Sequence, residues 1–176
     1  MDDTAAGHHF RAALEGMSFE LPVLVLAHND ADGLAAGALL VRGLRQLRPD
    51  VIIRLIGRGE NPWSPALTQE LAREPFGGLI VTDLGIRAEP VRPNTPTILI
   101  DHHVPQGLPS DAVVISGYGL DPTPTSSLLA YRCLEAVTDV SDLLLIAALG
   151  IIGDLGEKAP FAELTEARSR FGAKLL

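Results

Sequence analysis

Cysteine is nearly missing: Cys133 stands alone among 176 residues. A single thiol excludes an intramolecular disulfide and a zinc centre built from thiolates. Basic residues are also scarce, with 14 Lys and Arg against 22 Asp and Glu and a formal charge of −8. That deficit argues against a basic groove gripping a long nucleic acid through its phosphates. It does not bar an anionic substrate, because carboxylates that gather divalent cations reverse their own local sign. Long apolar runs are lacking too. The longest, Leu143 to Ile152, has ten residues, half of the roughly 20 that a bilayer demands, and reads as a buried helix. Met1 to Met17 shows no cationic stretch followed by an apolar one, so no secretory signal is legible and the cytoplasm is the expected compartment. Internal repeats and low-complexity tracts are absent as well.

What remains is ordinary globular composition, 47% apolar and 20% charged, in a length that suits one domain with short appendages. Phe10, Ala13, Leu14 and Met17 recur at helical spacing, so the chain up to Glu20 reads as a helix or an arm. Val23 to Ala27 is short, continuous and branched, as in a strand buried on both faces. Gly33 to Leu47 follows as a helix, Val51 to Ile56 as a second strand, and Pro65 to Arg73 as a short helix with Ser64 at its N-cap. Leu79 to Thr82, Thr97 to Ile100 and Val113 to Ser116 are further strands. Thr125 to Val137 and Asp142 to Ile152 are helices, the latter capped by Ser141. Such alternation predicts an α/β fold: a parallel sheet of about five strands with helices on both faces. Glu163 to Leu176 reads as a helix that breaks at Gly172 and resumes into Leu175-Leu176.

Ligands of open α/β sheets sit beyond the carboxyl ends of the strands. Those positions hold His28-Asn29-Asp30-Ala31-Asp32-Gly33, then Asp83, then Asp101-His102-His103. Asp154 closes the apolar helix. Three of five histidines and five aspartates therefore fall at one edge of the sheet. Carboxylates gathered there would repel one another unless cations bound among them. Oxygen and imidazole donors without thiolate favour Mn²⁺, with Mg²⁺, Co²⁺ or Fe²⁺ as alternatives. The donor set exceeds what one ion holding water and substrate can use, so a pair roughly 3.5–4 Å apart is expected. The chemistry that fits is hydrolysis of a phosphoester or phosphoanhydride. Gly33 serves either close helix-to-strand packing or a phosphate at a helix N-terminus. His8 and His9 read as solvated, Cys133 as core, and Trp63 as a loop anchor rather than a substrate-stacking ring. Arg58, after the second strand, is either a phosphate contact or a surface arginine.

These motifs resemble the DHH phosphoesterase superfamily, named for the triplet seen here as Asp101-His102-His103. His28-x-Asp30-x-Asp32-Gly33, the strand-end Asp83, the triplet and Gly153-Asp154 follow in the family's order, over roughly residues 21 to 158. The resemblance implies that His28, Asp30 and Asp83 hold one ion. Asp32, Asp83, His102 and Asp154 would hold the other, with Asp83 as the bridge. It also implies that His103 faces the substrate phosphate, that Asp101 orients both neighbouring histidines, and that a metal-bridging water attacks. Asp83, Asp101 and His103 are thus the expected catalytic residues. His103, Arg58 and Thr125 are expected to contact substrate, Thr125 opening a hydroxyl-rich Thr-Ser-Ser segment that otherwise only caps its helix.

The His-x-Asp-x-Asp-Gly spacing is most similar to the RecJ-like branch. The implied function is two-metal hydrolysis of phosphodiesters in single-stranded nucleic acid or short oligonucleotides. A small-molecule phosphohydrolase acting on a cyclic dinucleotide, pyrophosphate or phosphoadenosine phosphate is the alternative, as is a non-catalytic family module. The expected organisation is an arm or helix over 1–20, a catalytic domain over 21–158, and a helical segment over 159–176. That last segment is either a helical end or the start of a linker to a missing second domain of the DHHA1 type, without which metal binding is expected to survive and activity on nucleotides to be weak or absent.

Overall fold

A computed structural model of the chain describes residues 3–172. Helix α1 (Asp3–Glu15) precedes strand β1 (Val23–His28), α2 (Ala31–Leu44), β2 (Val51–Ile56), α3 (Pro65–Leu71), β3 (Gly78–Thr82), β4 (Thr97–Asp101) and β5 (Ala112–Ser116). Three helices close the described chain: α4 (Ser126–Glu135), α5 (Leu144–Gly153) and α6 (Ala162–Phe171). The five strands form one sheet in the order β2-β1-β3-β4-β5. Every pairing is parallel. Because β2 and β3 flank β1 on opposite sides, their connections diverge there and leave a crevice at the carboxyl ends of β1 and β3.

The period-two geometry of a strand sends alternate side chains to opposite faces. Val23 and Val25 of β1 join Ile80, Ile98 and Ile100 in a core against α1, α2, α4, α5 and α6. Leu24 and Leu26 face the other way, onto Leu67 and Leu71 of α3 and onto Ile86 and Val91 of the chain after β3. Helices therefore cover both faces, but unequally: the second face has only the seven-residue α3 and a loop. The carboxyl edge of the sheet is accordingly open on that side. No helix among the described residues is long and apolar enough to cross a membrane.

Several boundaries differ from the sequence reading for local reasons. Helix α2 begins at Ala31, because the Asp30 carboxylate accepts from the Gly33 amide at 2.9 Å and caps the helix. A Cβ on Gly33 would stand 2.6 Å from the His28 carbonyl oxygen, so this glycine serves close packing of α2 against β1. Ser141 does not cap α5. It opens a 3₁₀ turn, Ser141–Leu143, whose first amide donates to Asp139 at 3.0 Å, and α5 starts at Leu144. Helix α6 ends where expected, with Gly172 at φ 92°. The expected resumption at Leu175-Leu176 lies outside the described residues. Phe10 and Cys133 are buried, His8 and His9 are exposed, and the Trp63 indole is an anchor that donates to the Glu89 carbonyl at 2.9 Å.

Helices α2, α4 and α5 meet around Gly150. A Cβ there would stand 2.2 Å from the Ser127 hydroxyl oxygen and 2.8 Å from the Ala35 Cβ. Gly150→Ala gains helix propensity of about 0.8–1 kcal/mol and yet is expected to destabilise the fold by about 1–3 kcal/mol through overpacking. Urea unfolding measures this; a stabilised variant would show that the three helices are not held at this spacing.

Candidate metal centre

Each candidate donor is delivered by the end of an element. His28 is the last residue of β1, Asp30 caps α2, and Asp32 lies in the first turn of α2. Asp83 directly follows β3 and adopts a left-handed conformation, φ 61°. Asp tolerates that region better than most residues. Asp101 ends β4, His102 and His103 follow, and Asp154 is the residue beyond α5.

These side chains converge. The His28 Nδ1 lies 2.7 Å from Asp30 Oδ2 and 3.7 Å from Asp83 Oδ2. The His102 Nε2 lies 3.9 Å from Asp32 Oδ2, 3.6 Å from Asp83 Oδ1 and 3.6 Å from Asp154 Oδ2. Two donor groups result, His28–Asp30–Asp83 and Asp32–His102–Asp154, each compact enough to hold one ion. Asp83 belongs to the first and approaches the His102 of the second. A third grouping, Asp83–His102–His103, brings in the remaining histidine.

Asp32 and Asp83 are 2% and 3% exposed, so their charge is poorly screened. The fold offsets this with the first turn of α4. The backbone amides of Ser126 and Ser127 donate to the two Asp32 oxygens at 2.8 and 2.9 Å, and the Ser126 hydroxyl donates to Asp83 Oδ1 at 2.9 Å. The dipole of α4 adds to the anion's stability there. The compensation is incomplete. Burial, then the nearby Asp32 and Asp30 charges, push Asp83 up to about 8. Burial raises Asp32 as well. Asp83 Oδ2 is buried with no hydrogen-bond partner among the described residues. An orphaned carboxylate oxygen between imidazole and carboxylate donors, with no thiolate near, fits a hard or borderline divalent cation.

Asp101 is buried but differently treated. Burial alone would raise it, yet hydrogen bonds from the His103 ring, the His103 amide at 2.7 Å and the Gly85 amide at 2.6 Å hold it below its ordinary value. In return the His103 Nδ1, 3.0 Å from Asp101 Oδ1, is pushed up to about 9 by that bond. His103 is exposed, so a cationic imidazole faces solvent beside the donor cluster. The expectation for Asp101 covers both histidines; among the described contacts it holds His103 alone, because its second oxygen is occupied by Gly85.

His28, Asp30, Asp83 and His103 line a cleft of about 670 Å³ that also carries Arg58 and Arg87, whereas Asp32, His102 and Asp154 lie outside its lining. Thr125, expected as a substrate contact, does not line it. Its hydroxyl is buried, caps α4 by accepting from the Leu128 amide at 3.3 Å, and bonds the Ser127 hydroxyl at 2.9 Å. The Thr-Ser-Ser segment instead holds carboxylates, a role that its hydroxyl-rich composition hints at without naming the partners. Arg87 carries no sequence signal.

The profile of the DHH family, N-terminal domain, matches residues 22–151. Among curated proteins none matches. Exonuclease RecJ bound to manganese superposes with a TM-score of 0.66 and 22% identity, over 85% of this chain and 43% of that one. RecJ from Thermus thermophilus in complex with Mn²⁺ gives 0.66 and 23%, over 85% and 24%. The DHH domain of a protein assigned to a family of ribosomal proteins gives 0.67 and 18%, over 96% and 47%. The chain thus spans less than half the length of each.

Two predictions come from the electrostatics. Asp83, raised from 3.8 to about 8, keeps a proton in the folded, metal-free chain that the unfolded chain has lost, so stability falls as pH rises between those values. His103, raised from 6.5 to about 9, contributes stability that is complete below 6.5 and lost through 9, the same sign. Melting temperature without metal is therefore expected to fall from about pH 5 to about pH 8.5, and saturating Mn²⁺ to flatten the slope. A metal-free protein that gains stability over this range would refute it. Separately, Ser126→Ala removes the one hydroxyl on Asp83 and is expected to weaken Mn²⁺ binding about 10–100-fold by calorimetry; unchanged affinity would show that α4 does not orient the centre.

Proposed function

From the premise that this chain belongs to the DHH family, we propose that it is a two-metal-dependent phosphodiester hydrolase of the RecJ type. Its proposed substrates are single-stranded nucleic acid or short oligonucleotides. The carrying observation is the position of His102 Nε2, within 3.9 Å of carboxylates from three separate elements, beside a second donor group that shares Asp83. His28, Asp30 and Asp83 are assigned to one ion. Asp32, Asp83, His102 and Asp154 are assigned to the other. Manganese suits this mixed donor set, as magnesium or cobalt would. Bound there, a cation pair supplies charge neutralisation for the phosphate and hydroxide at neutral pH.

The chain's own residues supply the rest. Asp83 is held by Ser126 and Asp32 by two α4 amides, so the donors need no reorganisation when charge develops. Asp101 holds the His103 ring at the cleft, where it is assigned a hydrogen bond to a phosphate oxygen. Arg58 lines the same cleft and is assigned a phosphate contact. Further substrate contacts are assigned to a second domain of the DHHA1 type. The small-molecule alternative has its own support: a formal charge of −8 and a cleft of about 670 Å³ suit a nucleotide-sized ligand.

The test is a Mn²⁺-supported panel of labelled single-stranded DNA, RNA dinucleotides, cyclic dinucleotides, pyrophosphate and a chromogenic phosphodiester. Turnover of the oligonucleotides supports the first reading and turnover of the small molecules the second. Asp83→Ala is expected to bring any turnover to background and to reduce the number of Mn²⁺ bound per chain. Full activity in that variant, or no Mn²⁺ uptake by the wild type, overturns the assignment.

A further inference from the structure

A groove of about 370 Å³ lies at the end of the fold away from the donor cluster. Helices α2 and α4 both begin at that cluster, with Asp32 and Ser126 in their first turns. They are 14 and 10 residues long, so at roughly 1.5 Å per residue their far ends stand about 15–20 Å from it. The groove is built at those far ends. Leu44 closes α2, Leu47 and Arg48 come just after it, and Val137 follows α4. Leu14 comes from the last turn of α1, and Phe19 precedes β1. Phe19 and Leu47 are 69% and 47% exposed, so apolar surface faces solvent here.

One side chain of this lining has an unmet requirement. Arg48 is only 5% exposed. Its Nη2 donates to the Leu21 carbonyl at 3.0 Å and to the Ser18 carbonyl. Its Nε and Nη1 are buried with no hydrogen-bond partner among the described residues. It has no ion-pair partner among them either, and Asp50 reaches it only through space. Buried N–H groups of a cation without acceptors are costly, and an acceptor supplied from outside removes that cost. The other charged residues of the lining are Arg11 and Glu15. Two guanidinium groups thus meet one carboxylate, in a chain whose formal charge is −8.

Phe19 shields the orphaned groups. Its ring lies over the guanidinium, 4.6 Å from centroid to carbon, and its high exposure means that little besides this stack holds it. A ligand that moves the ring aside meets the guanidinium with its head and the leucines with its body.

We propose that this groove binds an apolar monocarboxylate, with its carboxylate on Arg48 and its hydrocarbon body on Leu14, Leu44, Leu47 and Val137. Apolar contact alone accepts an alcohol or an amine as readily; the buried guanidinium selects the anion. The inference stands apart from the hydrolase reading, because no residue of the groove belongs to the donor cluster or to its cleft.

Octanoate, octanol and octylamine share one body and differ in the head. The full chain with Mg²⁺ is titrated with each and followed by NMR, including the Nε–H resonance of Arg48. Octanoate is expected to bind about tenfold or more tightly than octanol, to outbind octylamine by more, and to shift that resonance. Arg48→Met is expected to remove the preference for the acid while octanol binding stays within about twofold. Phe19→Ala, which uncovers the guanidinium, is expected to keep the preference. Should Arg48→Met unfold for want of its bonds to Ser18 and Leu21, the wild-type resonance decides. Octanoate held by Mg²⁺ at the donor cluster, or an Arg48 that only staples its turn, would leave that resonance unmoved and overturn the proposal. So would equal affinity for acid and alcohol, no binding of any probe, or a folded Arg48→Met that keeps the preference.

Discussion

Repulsion between buried carboxylates is the constraint around which this fold is arranged. Asp32 and Asp83 lie at the sheet edge almost without solvent, where unpaired charge is costly. Among the described residues, the chain lowers that cost without a lysine or arginine. The first turn of α4 presents two amides to Asp32 and one hydroxyl to Asp83. A lysine or arginine at that place would satisfy the carboxylates completely and remove their affinity for a cation. Weaker, neutral donors hold the geometry and leave the negative charge available, with Asp83 Oδ2 still unpartnered.

That arrangement explains the tight packing on one side of the sheet. To reach Asp32, α4 must sit close against α2, and α5 must pack on both. Small residues allow it: Gly33 against His28, and Gly150 against Ser127 and Ala35. The opposite face carries the short α3 and a loop, and there the cleft opens. Strand and helix ends thus hold the donors, while the segments after β2 and β3 supply the arginines that line the cleft.

Asp101 and Asp83 illustrate how neighbouring groups divide opposite tasks. Both are buried aspartates at strand ends. Asp101 receives hydrogen bonds from Gly85 and His103, stays ionised and charges His103. Asp83 receives one hydroxyl and two like-charged neighbours, and is driven upward. Burial alone does not decide a carboxylate's role; the donors around it do.

Much of this was legible beforehand. Five short apolar runs alternating with helical patterns specify a parallel sheet, because buried strands need continuous branched residues. The motif residues His28, Asp30, Asp32, Asp83, His102 and Asp154 were readable at the ends of those elements, since ligand sites follow strand termini. Three matters were decided by tertiary structure. Thr125 turned inward as a cap, and Ser126 became the support for carboxylates 94 and 43 residues away in sequence. Asp101 reached one histidine because Gly85 took its other oxygen. Arg87 entered the cleft because β3 lies beside β1 and Trp63 holds its guanidinium. Residue type and spacing determine which groups arrive at the sheet edge; which group meets which depends on strand order and helix packing, contacts between distant segments that local pattern does not encode.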